Sequence, residues 1–285
     1  MQVTCIMILG FLGKGGSGKS SVATQMALFL HTQGKTVLAI DADHNMDLSY
    51  NLCSGTLPAQ SYIGAGLTDI KEYLGIPKEE KYDQYFLRDE IKSFTISDPD
   101  AVTQKYSIVL KPKLRLMTAG PQTEVVLHGQ SCSHILTTPL KLYLPLLSLE
   151  GSEMVVVDEK AGADGVTTGI VTGIDVGVIV IEPALHSIKT ALQIADLMKF
   201  YNTPFVFAGN KITNQFDKDF IVSRIGQTPV IYLPKSDWVA KEPGLLELTW
   251  QGHLNELYYQ TALLNTQNRY ERTREKFRRN LAFTK

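Results

Sequence analysis

Apolar residues gather along this chain in short dense runs, separated by segments in which they recur at helical spacing. Cys5 to Leu9 is the first run. Val22, Met26, Phe29 and Leu30 then mark a helix from Lys19 to about Gln33, which Gly34 ends as a C-cap does. Thr36 to Ile40, Leu114 to Met117, Met154 to Val157, Val176 to Ile181, Phe205 to Ala208 and Val230 to Leu233 read as further buried strands. Leu67 to Leu74 and Ser187 to Phe200 carry helical patterns, the second through Ile188, Ala191, Leu192, Ala195 and Leu197. Leu140 to Leu149 reads as an apolar helix interrupted near Pro145. Near-continuous apolar strands alternating with helices predict an α/β fold, a mostly parallel β-sheet with helices on both faces.

The pattern weakens between Tyr50 and Lys113, where a charged stretch from Lys78 to Lys92 and the turn Asp98-Pro99-Asp100 interrupt it. That region is expected to be an insertion over the ligand face of a single domain spanning residues 1–285. From Glu247 to the end the chain is expected to be helical, and from Arg269 it is rich in Arg and Lys with Glu271 and Glu275 among them, as a solvated helix face is.

Composition adds limits. With 44% hydrophobic residues in 285, the chain buries a large core, and its formal net charge of -1 gives no bulk attraction for nucleic acid or anionic membrane. Cys5, Cys53 and Cys132 are odd in number and widely spaced, which fits a reducing cytoplasm better than a disulfide framework. The apolar start lacks a basic flank and a cleavage signature, so a first strand is expected there rather than a signal peptide.

The chemistry sits where the first run meets the first helix, in Gly13-Lys14-Gly15-Gly16-Ser17-Gly18-Lys19-Ser20. The spacing G-x-x-x-x-G-K-[ST] makes a phosphate-binding loop: glycines let backbone N–H groups close around phosphate oxygens, Lys19 supplies a cation and Ser20 a hydroxyl for Mg²⁺. Gly13, Gly15, Gly16, Ser17, Gly18, Lys19, Ser20 and Ser21 are the candidate nucleotide contacts. The Thr36–Ile40 strand closes on Asp41-Ala42-Asp43, two carboxylates where a parallel strand opens into a ligand crevice, although either also suits a turn or N-cap. The Met154–Val157 strand ends in Asp158-Glu159-Lys160-Ala161-Gly162.

With its second lysine, Lys14, the loop reads K-G-G-x-G-K-[ST]. This variant resembles the deviant Walker A ATPases, the group of the MinD and ParA proteins and the nitrogenase iron protein, and the resemblance covers most of the chain. It implies an ATPase that binds ATP or ADP with Mg²⁺ and forms a homodimer with ATP at the interface. Lys14 would then reach the partner's phosphates, where a cation stabilises charge on the transferring phosphoryl group. The same resemblance gives Asp43 the attacking water, Asp47 a place in the first switch, and Asp158 the magnesium, held together with Ser20. It makes Asn210, with Lys211, the adenine reader and places Pro234 in the matching late loop.

Within that group, Val155 to Gly162 (VVVDEKAG) and Glu182-Pro183 followed by Ser187 look most like the accessory ATPases that insert nickel into carbon monoxide dehydrogenase, the CooC type. Those proteins carry a C-x-C metal motif before the Walker B aspartate, and at the matching place this chain has Cys132-Ser133-His134. A thiolate and an imidazole suit Ni²⁺ or Zn²⁺, and two copies across a dimer axis would make a Cys₂His₂ site for a client metalloenzyme's metal. Alternatively Cys132 is a small buried hydrophobe and His134 a helix-start residue, and His128 reads as a loop residue. The other class of function is a MinD- or ParA-like positioning switch using the basic C-terminal segment on membrane or DNA. That segment lacks a clean apolar stripe opposite its Arg face, so membrane or nucleic acid partners are not expected.

Overall fold

A computed structural model of the chain describes residues 6–122, 133–163 and 170–283. Its centre is an eight-stranded sheet in the order β3-β4-β2-β5-β1-β6-β7-β8. The strands are β1 (Met7–Gly13), β2 (Thr36–Asp41), β3 (Ser107–Lys111), β4 (Leu114–Thr118), β5 (Glu153–Asp158), β6 (Val176–Ile181), β7 (Phe205–Ile212) and β8 (Ile231–Pro234). Every pairing is parallel except β3 with β4. The six apolar runs after the first become strands within a residue or a few of their expected limits, and the first becomes a longer strand that runs into the phosphate loop.

Successive side chains on a strand point to opposite faces, and β1 divides accordingly. Met7, Leu9 and Phe11 pack under α1 (Lys19–Thr32) with Val37, Met154, Val156, Val178, Trp250 and Leu257. Ile8 and Leu12 pack on the other face with Val155, Ile179, Phe86, Tyr143, Ile188 and Phe277. The first face also receives α2 (Asp47–Leu52), and later α8 (Asp237–Lys241) and α9 (Gln251–Leu264); the second receives α3 (Leu67–Leu74), α4 (Ala101–Tyr106), α5 (Leu140–Tyr143), α6 (Leu185–Phe200), α7 (Gln215–Ile225) and α10 (Arg269–Phe283).

Three departures from the sequence reading have physical causes. The apolar segment from Leu140 is helical only to Tyr143, because Pro145 cannot continue it, and Leu147 bridges instead to Phe94. The region 50–113 supplies more than surface: Ile63, Ile70, Leu74, Tyr85, Phe86 and Phe94 enter the core, and its end becomes β3, the antiparallel edge strand. The C-terminal region is two helices broken at residues 265–268, where Gln267 takes a left-handed φ of 50°. Its arginines are partly spent inside. Arg269 pairs with the fully buried Asp175 at 3.0 Å, Arg272 donates to the Ile174 carbonyl, and Thr273 meets Thr172 at 3.0 Å. Among the described residues no helix is long and apolar enough to cross a membrane.

Candidate functional site

The loop between β1 and α1 opens at the C-terminal edge of the sheet, flanked by the ends of β5 and β6. Gly16 and Gly18 hold φ of 86° and 88°, the left-handed region in which a side chain is strained. A Cβ on Gly13 would stand 2.7 Å from both Ser17 Oγ and the Val180 carbonyl, so the tight entry also needs glycine. The Ser17 N–H donates to the Lys14 carbonyl at 3.0 Å and closes the turn. Behind it α1 begins with N–H groups that have no partner inside the helix and a dipole that favours anions.

Lys19 is 5% exposed, and three groups crowd its Nζ: Asp158 Oδ1 at 3.3 Å, Ser20 Oγ at 3.3 Å and Asp43 Oδ2 at 3.6 Å. Burial works against its charge, but Asp158 and Asp43 outweigh it and raise the lysine's pKa. The carboxylates outnumber the cation. Burial, reinforced by Asp158, pushes Asp41 up to about 8, and the same two causes push Glu159 up to about 8. Burial also raises Asp158 in spite of Lys19. Asp158 and Asp41 are in register on β5 and β2, and the two end side by side.

Asp41 has a positioning task. Its carboxylate accepts the Asp43 N–H at 3.2 Å and the Ser49 N–H at 2.8 Å, which fastens the corner between β2 and α2 that presents Asp43. His44 Nδ1 lies 3.3 Å from the other Asp43 oxygen. The structure thus brings Lys19, Ser20, Asp43 and Asp158 together, as the sequence implies. Asp47 is exposed in the first turn of α2, and Lys14 is half-buried beside the loop, its Nζ donating among the described residues only to Gly15 O at 3.0 Å. Ser21 continues the first turn of α1.

Asn210 and Lys211 close on the loop from the end of β7. Asn210 Nδ2 donates to the Ser17 carbonyl at 2.9 Å, while Lys211 Nζ donates to the Gly16 carbonyl and pairs with Glu182 Oε2 at 2.8 Å. Pro234 is exposed at the end of β8, in register with Ile212 of β7, the residue that follows Lys211. Cys132 and His128 lie outside the described residues, as does the side chain of His134. Among the described residues no three His, Cys, Asp or Glu side chains are grouped to hold a metal ion.

The donor set fits a nucleotide with a hydrated divalent cation. Asp158 Oδ2, Glu159 Oε1 and Ser17 Oγ are buried without a hydrogen-bond partner among the described residues, and buried polar atoms are seldom left so. A triphosphate entering among carboxylates also needs positive charge beyond Lys19. Ser20 and Asp158 are the oxygen ligands suited to supply it through Mg²⁺, which keeps much of its water.

Residues 6–224 match the model of the CobQ/CobB/MinD/ParA nucleotide-binding domain. The chain belongs to that family. It is a P-loop ATPase. An ATP-binding protein of Methanocaldococcus jannaschii is 27% identical over 254 residues, 88% of this chain and 96% of that protein. The carbon monoxide dehydrogenase accessory protein CooC of Rhodospirillum rubrum is also 27% identical, over 227 residues that make up 78% of this chain and 80% of CooC. Among solved structures, a plasmid partition protein of Borrelia burgdorferi bound to AMPPNP superposes with a TM-score of 0.58 at 13% identity, covering 90% of this chain and 98% of that one. At that identity the likeness speaks for the fold.

Sequence reasoning named Asp41, Glu159 and Glu182 without giving them roles in the site. For Asp41 a signal was available, a second carboxylate two residues before the catalytic candidate. For Glu182 none was, since its partner Lys211 lies 29 residues away on the next strand.

Proposed function

We propose that this ATPase is a homodimeric switch that times delivery of a metal, nickel, to a client metalloenzyme such as carbon monoxide dehydrogenase. The observation that carries the reading is the similarity to CooC across 78% of the chain. Lys14 supports the dimer: it stands beside the loop with no anionic partner among the described residues and is free to turn toward a second subunit's phosphates. Within one subunit Lys19 holds the phosphates, Asp43 takes the attacking water, and the loop's N–H groups fix the nucleotide. Mg²⁺ bound by Ser20 and Asp158 would neutralise phosphate charge.

Cys132 and His134 are the proposed cargo ligands, two from each subunit, with ATP-driven closure forming or breaking the shared site. Equilibrium dialysis of the wild type against Ni²⁺ and Zn²⁺, with and without ATP, should find one metal per dimer. The doubly substituted Cys132→Ala, His134→Ala protein should lose it. Equal weak binding by both proteins removes the metal from the reading and leaves the ATPase. The positioning-switch alternative depends on a free basic C-terminal helix, and α10 commits Arg269 and Arg272 to Asp175, Leu147 and Ile174 within the chain. ATP-dependent co-sedimentation with anionic vesicles, or a DNA mobility shift, would restore it.

A further inference from the structure

A cleft of about 540 Å³ opens between the end of α6 and α10, with Phe200, Tyr201, Pro204, Arg272 and Lys276 among its lining residues. Pro204 leads into β7, and Ile174, whose carbonyl accepts from Arg272, stands just before β6, so the cleft lies at the N-terminal edge of the parallel strands. The phosphate loop lies at their other edge, a strand's length of about 20 Å away.

One side of the cleft is apolar. The Phe200 ring is 67% exposed and stands edge-on to Tyr201 with ring centres 5.1 Å apart, and Pro204 continues that side. The other side is cationic. Arg272 and Lys276, four residues apart, share a face of α10. Arg272 is 8% exposed, and its Nε is buried with no hydrogen-bond partner among the described residues. The Lys276 ammonium lies 5.3 Å from the Tyr201 ring centre and 5.7 Å from that of Phe277, and no carboxylate pairs with it among the described residues.

The acids nearby are already engaged. Arg269 takes both oxygens of Asp175, Arg279 pairs with Glu275 at 3.0 Å, and Arg274 lies 3.9 Å from Glu271. Two largely buried cations are therefore left without a carboxylate of their own, and a third, Lys141, presses on Lys276 from α5. Burial holds Arg272, Lys141 and Lys276 all below their ordinary pKa values, as it does for cations short of counter-charge. Aromatic faces attract an ammonium but do not replace an anion. An apolar cavity of this size with a few convergent polar groups is the usual form of a small-molecule site.

We propose that this cleft binds a small organic anion, whose apolar body lies against Phe200, Tyr201 and Pro204 and whose carboxylate meets Lys276 and Arg272. An inorganic anion would leave the rings uncovered, and a neutral apolar molecule would leave the cations unpaired. The proposal rests on neither nucleotide binding nor metal delivery.

Full-length wild type, Lys276→Met and Phe200→Ala are titrated at neutral pH with phenylacetate, decanoate, the neutral phenylacetamide and inorganic sulfate, and separately with ADP. At least one carboxylate should bind the wild type once per chain with a Kd below about 1 mM. Phenylacetamide and sulfate should bind at least about tenfold more weakly. Lys276→Met should weaken carboxylate binding by about tenfold to a hundredfold, the worth of a charge-assisted hydrogen bond, and Phe200→Ala by about threefold. ADP affinity should be the same in all three proteins. The site is overturned if neither carboxylate saturates below about 10 mM, if phenylacetamide or sulfate binds as tightly as the carboxylates, or if Lys276→Met leaves their affinity unchanged. Should Lys276→Met fold poorly, unchanged carboxylate affinity in Phe200→Ala overturns it as well. A protein that binds ADP and ignores both carboxylates would lose this site and keep its standing as an ATPase.

Discussion

Lys14→Ala is the substitution that bears most directly on the dimer. In the single chain the side chain is half-buried, with one hydrogen bond to a carbonyl of its own loop. Its loss should change folding stability by no more than about 0.5 kcal/mol. In a closed dimer the same ammonium would stand about 4 Å from charge building on the partner's transferring phosphoryl group, which at an effective dielectric of about 20 is worth ~4 kcal/mol. That corresponds to a fall in turnover of about a thousandfold, while ATP affinity changes little. The decisive assay is complementation. With Asp43 in its proposed role, Asp43→Asn should lose turnover through a residue of the same subunit, so a mixed dimer of Lys14→Ala with Asp43→Asn would have one site with both groups intact and one with neither. Equal mixing makes half the dimers mixed, and the solution should recover about a quarter of the wild-type rate. A mixture no faster than its parents, or equal loss of binding and turnover in Lys14→Ala, refutes a lysine acting across the interface.

Other substitutions probe the frame. Gly18→Ala should abolish ATP binding by isothermal titration, because its Cβ meets Asn210 at a left-handed φ, whereas Gly34→Ala, at φ 77° with open space around it, should cost only about 1 kcal/mol in urea melts and leave binding intact. Arg269→Met leaves the buried Asp175 with the Ile8 N–H, at 2.8 Å, as its one hydrogen-bond donor among the described residues, beside the charge of Arg272, and should lower unfolding free energy by about 3 kcal/mol, read by chemical denaturation. Burial, with Lys141 nearby, lowers Lys276 to about 8 from 10.5. The unfolded chain then holds the extra proton between those values, so stability rises with pH across that window and the penalty is complete at pH 7. Lys276→Met should therefore stabilise the protein at pH 7 by about 1–3 kcal/mol, with the advantage fading toward pH 10 in pH-resolved thermal melts.

What could be read from the sequence follows from what kind of signal each element leaves. Strands buried on both faces are apolar at every position, so β2, β5 and β6 announce themselves, and the loop between β1 and α1 carries its own glycine spacing. β3 does not, because it lies at an edge with Val109 61% exposed, inside a segment whose charged neighbours dominate. α7 buries only Ile221 and so has no apolar stripe; its cap, Asn214 accepting the Asp217 N–H, is the one local sign of it. Lys19, Ser20, Asp43 and Asp158 were legible because each belongs to a short motif at a strand end. The tasks of Asp41 and Glu182 were not, since they depend on which strands lie side by side and on how a loop turns its carbonyls.

The buried charges explain why this site should depend on its ligand to become fully ordered. Asp41, Asp158 and Glu159 are each driven toward the neutral form by burial, and one lysine serves all of them together with Asp43. A carboxylate kept neutral is a weaker acceptor than an ionised one, so in the free chain the contacts that Asp41 makes to Asp43 and Ser49 are held below their full strength. Added positive charge at Ser20 and Asp158 would favour ionisation of these groups and so tighten the corner that carries Asp43. On the phosphate side, Asn210 and Lys211 donate to the neutral carbonyls of Ser17 and Gly16, contacts that do not depend on carboxylate ionisation. A cation bound at Ser20 and Asp158 should therefore act first on the side of the site where Asp41 fastens the corner between β2 and α2 that presents Asp43.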